Sequence, residues 1–138
     1  FRLRELLNYN PNPSLKDLHL LRTGRHFRIS PSCKIIAGRD EKDNDKIESL
    51  AGEGDYILSV ENVGSPVTLL TGGGSQDFIS LAAAICARYS DAKHLPSVDV
   101  SVYSNGERFI LKVSPATEEV IERYRVQKPE KKKTVLPA

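Results

Sequence analysis

Val98-Asp-Val100-Ser-Val102-Tyr103-Ser-Asn105-Gly106-Glu-Arg108-Phe109-Ile-Leu111-Lys112-Val113 has apolar residues at alternate positions on both sides of an Asn-Gly pair. Alternation of this kind marks a half-buried strand. Asn-Gly is the favoured two-residue hairpin turn, because both residues accept positive φ. With those two as the loop, Val102 faces Phe109, Val100 faces Leu111 and Val98 faces Val113. The other face then pairs Tyr103 with Arg108 and Asp99 with Lys112. Each such pair contributes about 0.2–1 kcal/mol, and a one-residue slip would lose them all. The stretch therefore predicts an antiparallel hairpin, and the rest of the chain supplies partners for it.

Upstream, Lys34-Ile-Ile-Ala37 is a short, nearly continuous apolar run that suits a central strand. It stops at Gly38-Arg39, and Asp40 is placed to cap a helix with Glu41 and Asp43 in its first turn, where the helix dipole favours acids. Ile47 and Leu50 supply that helix's buried stripe, and Gly52 and Gly54 end it. Asp55–Val60 and Val67–Leu70 read as strands joined through Gly64-Ser65-Pro66. Ser75 caps the clearest helix, with Phe78, Leu81, Ala82, Ile85 and Tyr89 on one face. Ser114-Pro115 leads into a last helix over about residues 116–125, with Val120, Ile121 and Tyr124 inward. At the N-terminus, Phe1, Leu3, Leu6 and Leu7 suggest a short amphipathic helix, stopped by Asn10-Pro-Asn-Pro13. Ser14 caps a further turn through Leu15, Leu18 and Leu21. Phe27 and Ile29 share one face of a strand, with His26 and Arg28 on the other. The expected fold is a single α+β domain, a mostly antiparallel sheet with helices packed on it.

The chain has 138 residues and net charge +2, so charge distribution says more than charge sum. Arg22, Arg25, Arg28, Lys34 and Arg39, with His26 among them, fall in a stretch without an acid. A one-signed run of this kind can be a footprint for nucleic acid or a solvated basic edge. Lys131-Lys132-Lys133 forms a second cluster in a Lys-, Pro- and Glu-rich tail over residues 127–138, expected to be disordered. The chain opens on Phe1 and contains no Met, which reads as a piece of a larger protein. No apolar run has membrane-span length and no signal-peptide pattern is present. No membrane association and a cytoplasmic location are the default expectations.

Catalytic hardware is thin. Gly72-Gly73-Gly74 before Ser75 lacks the Lys-Ser/Thr of a Walker loop, which favours a flexible turn with a capped helix over an anion site. His19, His26 and His94 are scattered, and the acids of residues 40–45 would place Ala51 where a calcium loop needs its bidentate Glu. Cys33 and Cys86 form no CxxC pair. Lys34 beside Cys33 weakly favours a sulfur-carrying thiol, and an inert thiol is the stronger reading. No catalytic residue, metal or cofactor is expected in this chain.

The block Gly38-Arg39-Asp40-Glu-Lys-Asp-Asn44-Asp45-Lys46, then Gly54-Asp55-Tyr-Ile-Leu-Ser59, Gly64-Ser-Pro66 and Ala83–Ala92, resembles the NFACT-R domain, the presumed RNA-binding domain of NFACT proteins of ribosome quality control. The likeness runs from about Gly24 to Ala92, and residues 24–126 are expected to form the domain. NFACT-R domains of the ribosome-associated type often carry His where this chain has Ser59, so that residue's contact is not carried over. Residues 2–18 and 20–28 look like the C-terminal region of ThiI-like or tRNA 2-thiouridylase-like PP-loop proteins. This resemblance makes residues 1–23 a helical linker from an upstream PP-loop domain, with ATP and Mg expected only there. It implies a non-enzymatic, tRNA-binding appendage of a tRNA-thiolating enzyme.

The expected RNA-binding residues are Arg25, His26, Arg28, Lys34, Arg39, Asn44, Lys46, Arg88 and Lys93. Arg39 would grip phosphate, Lys34, Arg25 and Arg28 would extend a basic track, and Asp40 and Asp45 would orient Arg39 or cap the helix. The alternative is a protein-interaction domain that docks on the PP-loop domain or a dimer partner.

Overall fold

The computed structural model describes residues 1–127, so the Lys131–Lys133 cluster lies outside the described residues. Five helices and six strands alternate as α1 (Arg2–Tyr9), α2 (Leu15–Leu20), β1 (Arg25–Arg28), β2 (Lys34–Ala37), α3 (Glu41–Leu50), β3 (Tyr56–Val60), β4 (Thr68–Thr71), α4 (Gln76–Arg88), β5 (Val98–Ser104), β6 (Glu107–Val113) and α5 (Glu118–Tyr124). The strands form one sheet in the order β1-β2-β4-β3-β5-β6. Every neighbouring pair is antiparallel. The fold is α+β, as the alternation of its strands predicts.

The hairpin adopts the expected register. Val102 pairs with Phe109, Val100 with Leu111, Tyr103 with Arg108 and Asp99 with Lys112, and both Asn105 and Gly106 have positive φ. The caps also form: Ser14, Asp40 and Ser75 side chains accept from Asp17, Asp43 and Phe78 backbone N–H groups. Each satisfies a donor that the first helical turn leaves free.

Strand order is where long-range packing takes over. β2 and β3 run parallel with β4 inserted between them, so α3 is a crossover. β4 and β5 run parallel with β3 between them, so α4 is a second crossover. The two crossovers lie on opposite faces, which gives the sheet two cores. Phe27, Ile35, Leu58, Leu70, Val100, Val102, Ile79, Ile85 and Ile121 pack under α4 and α5. Leu20, Ile36, Ile47 and Leu69 pack under α2 and α3. Cys86 is fully buried in the first core, where burial raises its thiol pKa.

Among the described residues β6 has one neighbour only. Phe109, placed on the inner face by alternation, is therefore half exposed at the sheet's edge.

Candidate nucleic-acid interface

The chain directions bring three sequence-distant corners to one end of the sheet. β2 ends there and α3 begins. β3 ends and β4 begins around Gly64-Ser65-Pro66. α4 ends there at Tyr89. Between them opens a cleft of about 280 Å³ lined by Arg25, Gly38, Arg39, Asp40, Glu41, Asn44, Gly64, Ser65, Pro66, Tyr89 and Asp91.

Its walls are held by backbone–side-chain bonds. Gly38 N donates to Val67 O at 3.0 Å, and Val67 N donates to Asn44 Oδ1 at 2.9 Å. Asn44 Oδ1 sits so close to Gly38 that a Cβ there would collide with it. Asp91 N donates to Gly64 O at 2.8 Å, and a Cβ on Gly64 would strike the Asp91 carboxylate. Ser65 Oγ accepts from Val60 N at 2.8 Å and donates to Pro66 O at 2.9 Å. Glycine is needed at both corners for close approach.

Two guanidinium groups face this cleft. Arg25 lies 4.3 Å over the centroid of the Tyr89 ring and donates to Gly38 O at 3.3 Å. Arg39 donates through Nε to Asp43 Oδ2 at 2.8 Å and through Nη2 to Arg22 O at 3.3 Å. Its side chain keeps 47% exposure. Asp43 Oδ2 also accepts the backbone N–H of Arg39 and of Gly24, each at 3.1 Å. The hydrogen bond to Asp43 raises the Arg39 pKa, and the same bond lowers that of Asp43. Arg39 is thus a permanent cation at a set position, with one edge of its fork engaged and the other open. The cleft is not uniformly basic, since Asp40, Glu41 and Asp91 also line it.

The expected binding residues do not form one track. Arg25, Arg39 and Asn44 meet in the cleft. Asn44 acts chiefly as a clamp through its Oδ1. Lys46 on α3 and Lys93 beyond the Tyr89 corner are exposed outside it. Arg88 bonds Glu118 at 2.6 Å and Ala116 O at 3.4 Å, tying α4 to α5.

His26 is a correction. It is 1% exposed, and its Nε2 lies 2.9 Å from Leu20 O and 2.8 Å from Thr23 O. Both partners are acceptors, so Nε2 carries the proton and donates to them. Nδ1 is buried without a partner among the described residues. Burial, then the charges of Lys34 and Arg2, push its pKa down to about 3. A neutral histidine pinning the end of α2 to β1 cannot meet a polymer. Arg28 and Lys34 are also corrected as extensions of a track from Arg39. Strand alternation puts both on the sheet face opposite Arg25, at the far end. Arg28 pairs with Glu5 at 2.6 Å and lies 4.3 Å over Tyr9. Lys34 is 7% exposed.

Tyr89, Gly64–Pro66 and Asp91 were not expected at the site. Helical spacing placed Tyr89 in the α4 stripe, and it does touch Phe27 at 6.2 Å between centroids. Its position at the helix terminus, beside Arg88, was the signal for a second, exposed role. Among the described residues no His/Cys/Asp/Glu group could hold a metal ion, and no helix is long and apolar enough to cross a membrane.

Fold and cleft together define a small α+β domain that presents arginines beside an aromatic ring at one end of an antiparallel sheet. The chain belongs to the family described as NFACT protein RNA binding domain, whose model matches residues 24–125. Binding RNA is therefore its general role. No curated protein matches the chain. Among solved structures it is similar to the C-terminal part of the fibronectin/fibrinogen-binding protein from Streptococcus suis, with TM-score 0.68 and 17% identity, over 91% of this chain. It spans 66% of that solved chain, and the likeness is one of fold.

Proposed function

We propose that this domain holds RNA, tRNA in particular, at the cleft, as a non-catalytic appendage of a cytoplasmic PP-loop tRNA-thiolation protein. The observation that carries the binding site is the convergence of the Gly38–Asn44, Gly64–Pro66 and Tyr89–Asp91 segments around Arg25 and Arg39. Arg39 offers the open edge of its fork to a phosphate, and a planar fork matches phosphate oxygens bidentately. Arg25, held flat on Tyr89, presents a second cationic plane. The carboxylates of Asp40 and Asp91 would repel a bare phosphate and accept from exocyclic amines of an unstacked base. Mixed charge of this kind suits a nucleotide in a loop or single strand better than a uniform duplex backbone. The thiolation context rests on the likeness of residues 2–28 to PP-loop proteins, and ATP and Mg would belong to that upstream domain.

The test is RNA affinity of the intact chain and of Arg25→Glu and Arg39→Glu, at two salt concentrations. Affinity should fall with salt as counterions are displaced, and each variant should lose about tenfold or more with its fold intact. Undiminished binding by both variants, or no tRNA binding at low salt, would exclude this site. Protein docking is a second reading, favoured by Phe1, Leu3, Leu7 and Leu18, which stand 39–54% exposed on α1 and α2. Leu3→Glu with Leu7→Glu tests it. Lost association with a co-expressed PP-loop domain supports docking, and unchanged association removes it.

A further inference from the structure

At the end of the sheet remote from the cleft, α1 and α2 stand over the start of β2 and the end of β4. They enclose a pocket of about 340 Å³ whose lining includes Tyr9, Asn10, Asp17, Ser32, Lys34 and Thr71. The family match begins at residue 24, so Tyr9, Asn10 and Asp17 are contributed by the segment before it.

Lys34 is more than nine-tenths buried. Among the described residues its ammonium has no hydrogen-bond or ion-pair partner. The neighbouring charges are already engaged. Glu5 accepts from Arg28 Nε at 2.6 Å and Nη2 at 3.4 Å. Asp17 accepts from Ser14 N at 3.0 Å and Asn10 Nδ2 at 3.5 Å. The Lys34 ammonium is not among the fully buried unpartnered atoms of the described residues, so it keeps access to the pocket that it lines. Here burial lowers the Lys34 pKa to about 8, with the Glu5 charge opposing that and Arg28 adding to it. The amine remains mostly protonated at neutral pH. Tyr9, Ser32 and Thr71, each carrying a hydroxyl, share the same lining.

We propose that this pocket binds a dianionic phosphate group of mononucleotide size, with Lys34 as its countercharge and the Tyr9, Ser32 and Thr71 hydroxyls as further donors. The volume lies at the lower end of small-ligand sites, enough for a phosphate with its sugar. The group has two sources of the same chemistry, the 5′ end of an RNA or a free mononucleotide. The proposal does not depend on the cleft, which lies at the other end of the sheet.

The experiment measures acylation of the Lys34 amine in the intact chain by mass spectrometry. Added probes are inorganic phosphate, AMP, and one short RNA with either a 5′-phosphate or a 5′-hydroxyl. AMP or the 5′-phosphorylated RNA should slow Lys34 acylation about tenfold, the scale of one charge-assisted contact, and the 5′-hydroxyl RNA should not. Lys34→Met should lose a similar factor in affinity for the protecting probe. Protection by AMP with equal affinity for the two RNAs assigns a free nucleotide. A preference for the phosphorylated RNA assigns an RNA end. Absence of protection by every phosphate probe overturns the proposal, as does equal affinity of Lys34→Met when folded. Protection by AMP, which does not need the cleft, should be the same in Arg39→Glu, and this separates the outcome from failure of the cleft.

Discussion

Arg25 holds its guanidinium 4.3 Å above the Tyr89 ring, joining the first residue of β1 to the C-cap of α4. The same ring meets Phe27 at 6.2 Å, and its hydroxyl accepts from Arg125 Nη2 at 3.4 Å. Face, edge and hydroxyl are all engaged, so the ring is a fixed platform for the arginine. Tyr89→Ala removes half-buried aromatic area and the cation–π contact, and should cost about 2–3 kcal/mol in denaturant unfolding. Tyr89→Phe keeps the platform and should stay within about 1 kcal/mol. RNA affinity should follow the ring, falling in the alanine variant and surviving in the phenylalanine one.

Asp43 is the keystone of the cleft's basic rim. One oxygen receives the N–H groups of Gly24 and Arg39 and the Arg39 Nε. Asp43→Ala leaves the Gly24 N–H buried without a partner and releases Arg39. It should cost about 2–4 kcal/mol by chemical denaturation and reduce RNA affinity. Because Arg39 lowers the Asp43 pKa, this stabilisation is present above the ordinary carboxylate range. It is lost as pH falls through the lowered folded value.

His26 makes the domain acid-sensitive in a higher window. Its folded pKa is about 3 against an ordinary 6.5. Between those values the unfolded chain binds a proton that the folded chain refuses. Stability should therefore fall as pH drops from 6.5 toward 3, by at most about 1.4 kcal/mol per pH unit from this group. His26→Gln keeps an N–H donor for Leu20 O and Thr23 O without a titrating ring. Its melting temperature should vary less with pH over that window.

Gly38→Ala and Gly64→Ala test the close corners. In the first, the added methyl drives Asn44 from Val67 N, and in the second it drives Asp91 from the Gly64 corner. Each should cost about 1–3 kcal/mol in denaturant unfolding and weaken RNA binding beyond that of an equally destabilised core variant. Unaltered stability in both would mean that the corners relax freely.

The local elements were legible in the sequence because they rest on short-range physics. Period-2 alternation and the Asn105-Gly106 turn determined the β5–β6 register, and Ser14, Asp40 and Ser75 announced three helix starts through the donors they cap. Alternation also placed His26 and Arg28 on one strand face. It could not say which face the helices cover, and α1 and α2 cover that one. The basic run from Arg22 to Arg39 was likewise plain. Its division was not, because Arg25 and Arg28 point to opposite faces of the sheet, and Lys34 and Arg39 stand at opposite ends of β2 and its following corner.

By itself, then, the sequence determined the strands, the caps, the α+β class and the family likeness of residues 24–92. The tertiary structure decided the strand order, with β4 between β2 and β3, and so the meeting of Arg25, Arg39, Gly64 and Tyr89. The reason is the range of the forces. Dihedral preference, capping and alternation act within a few residues, whereas the cleft exists because two crossovers bury opposite faces of one sheet and bring distant corners to a single end.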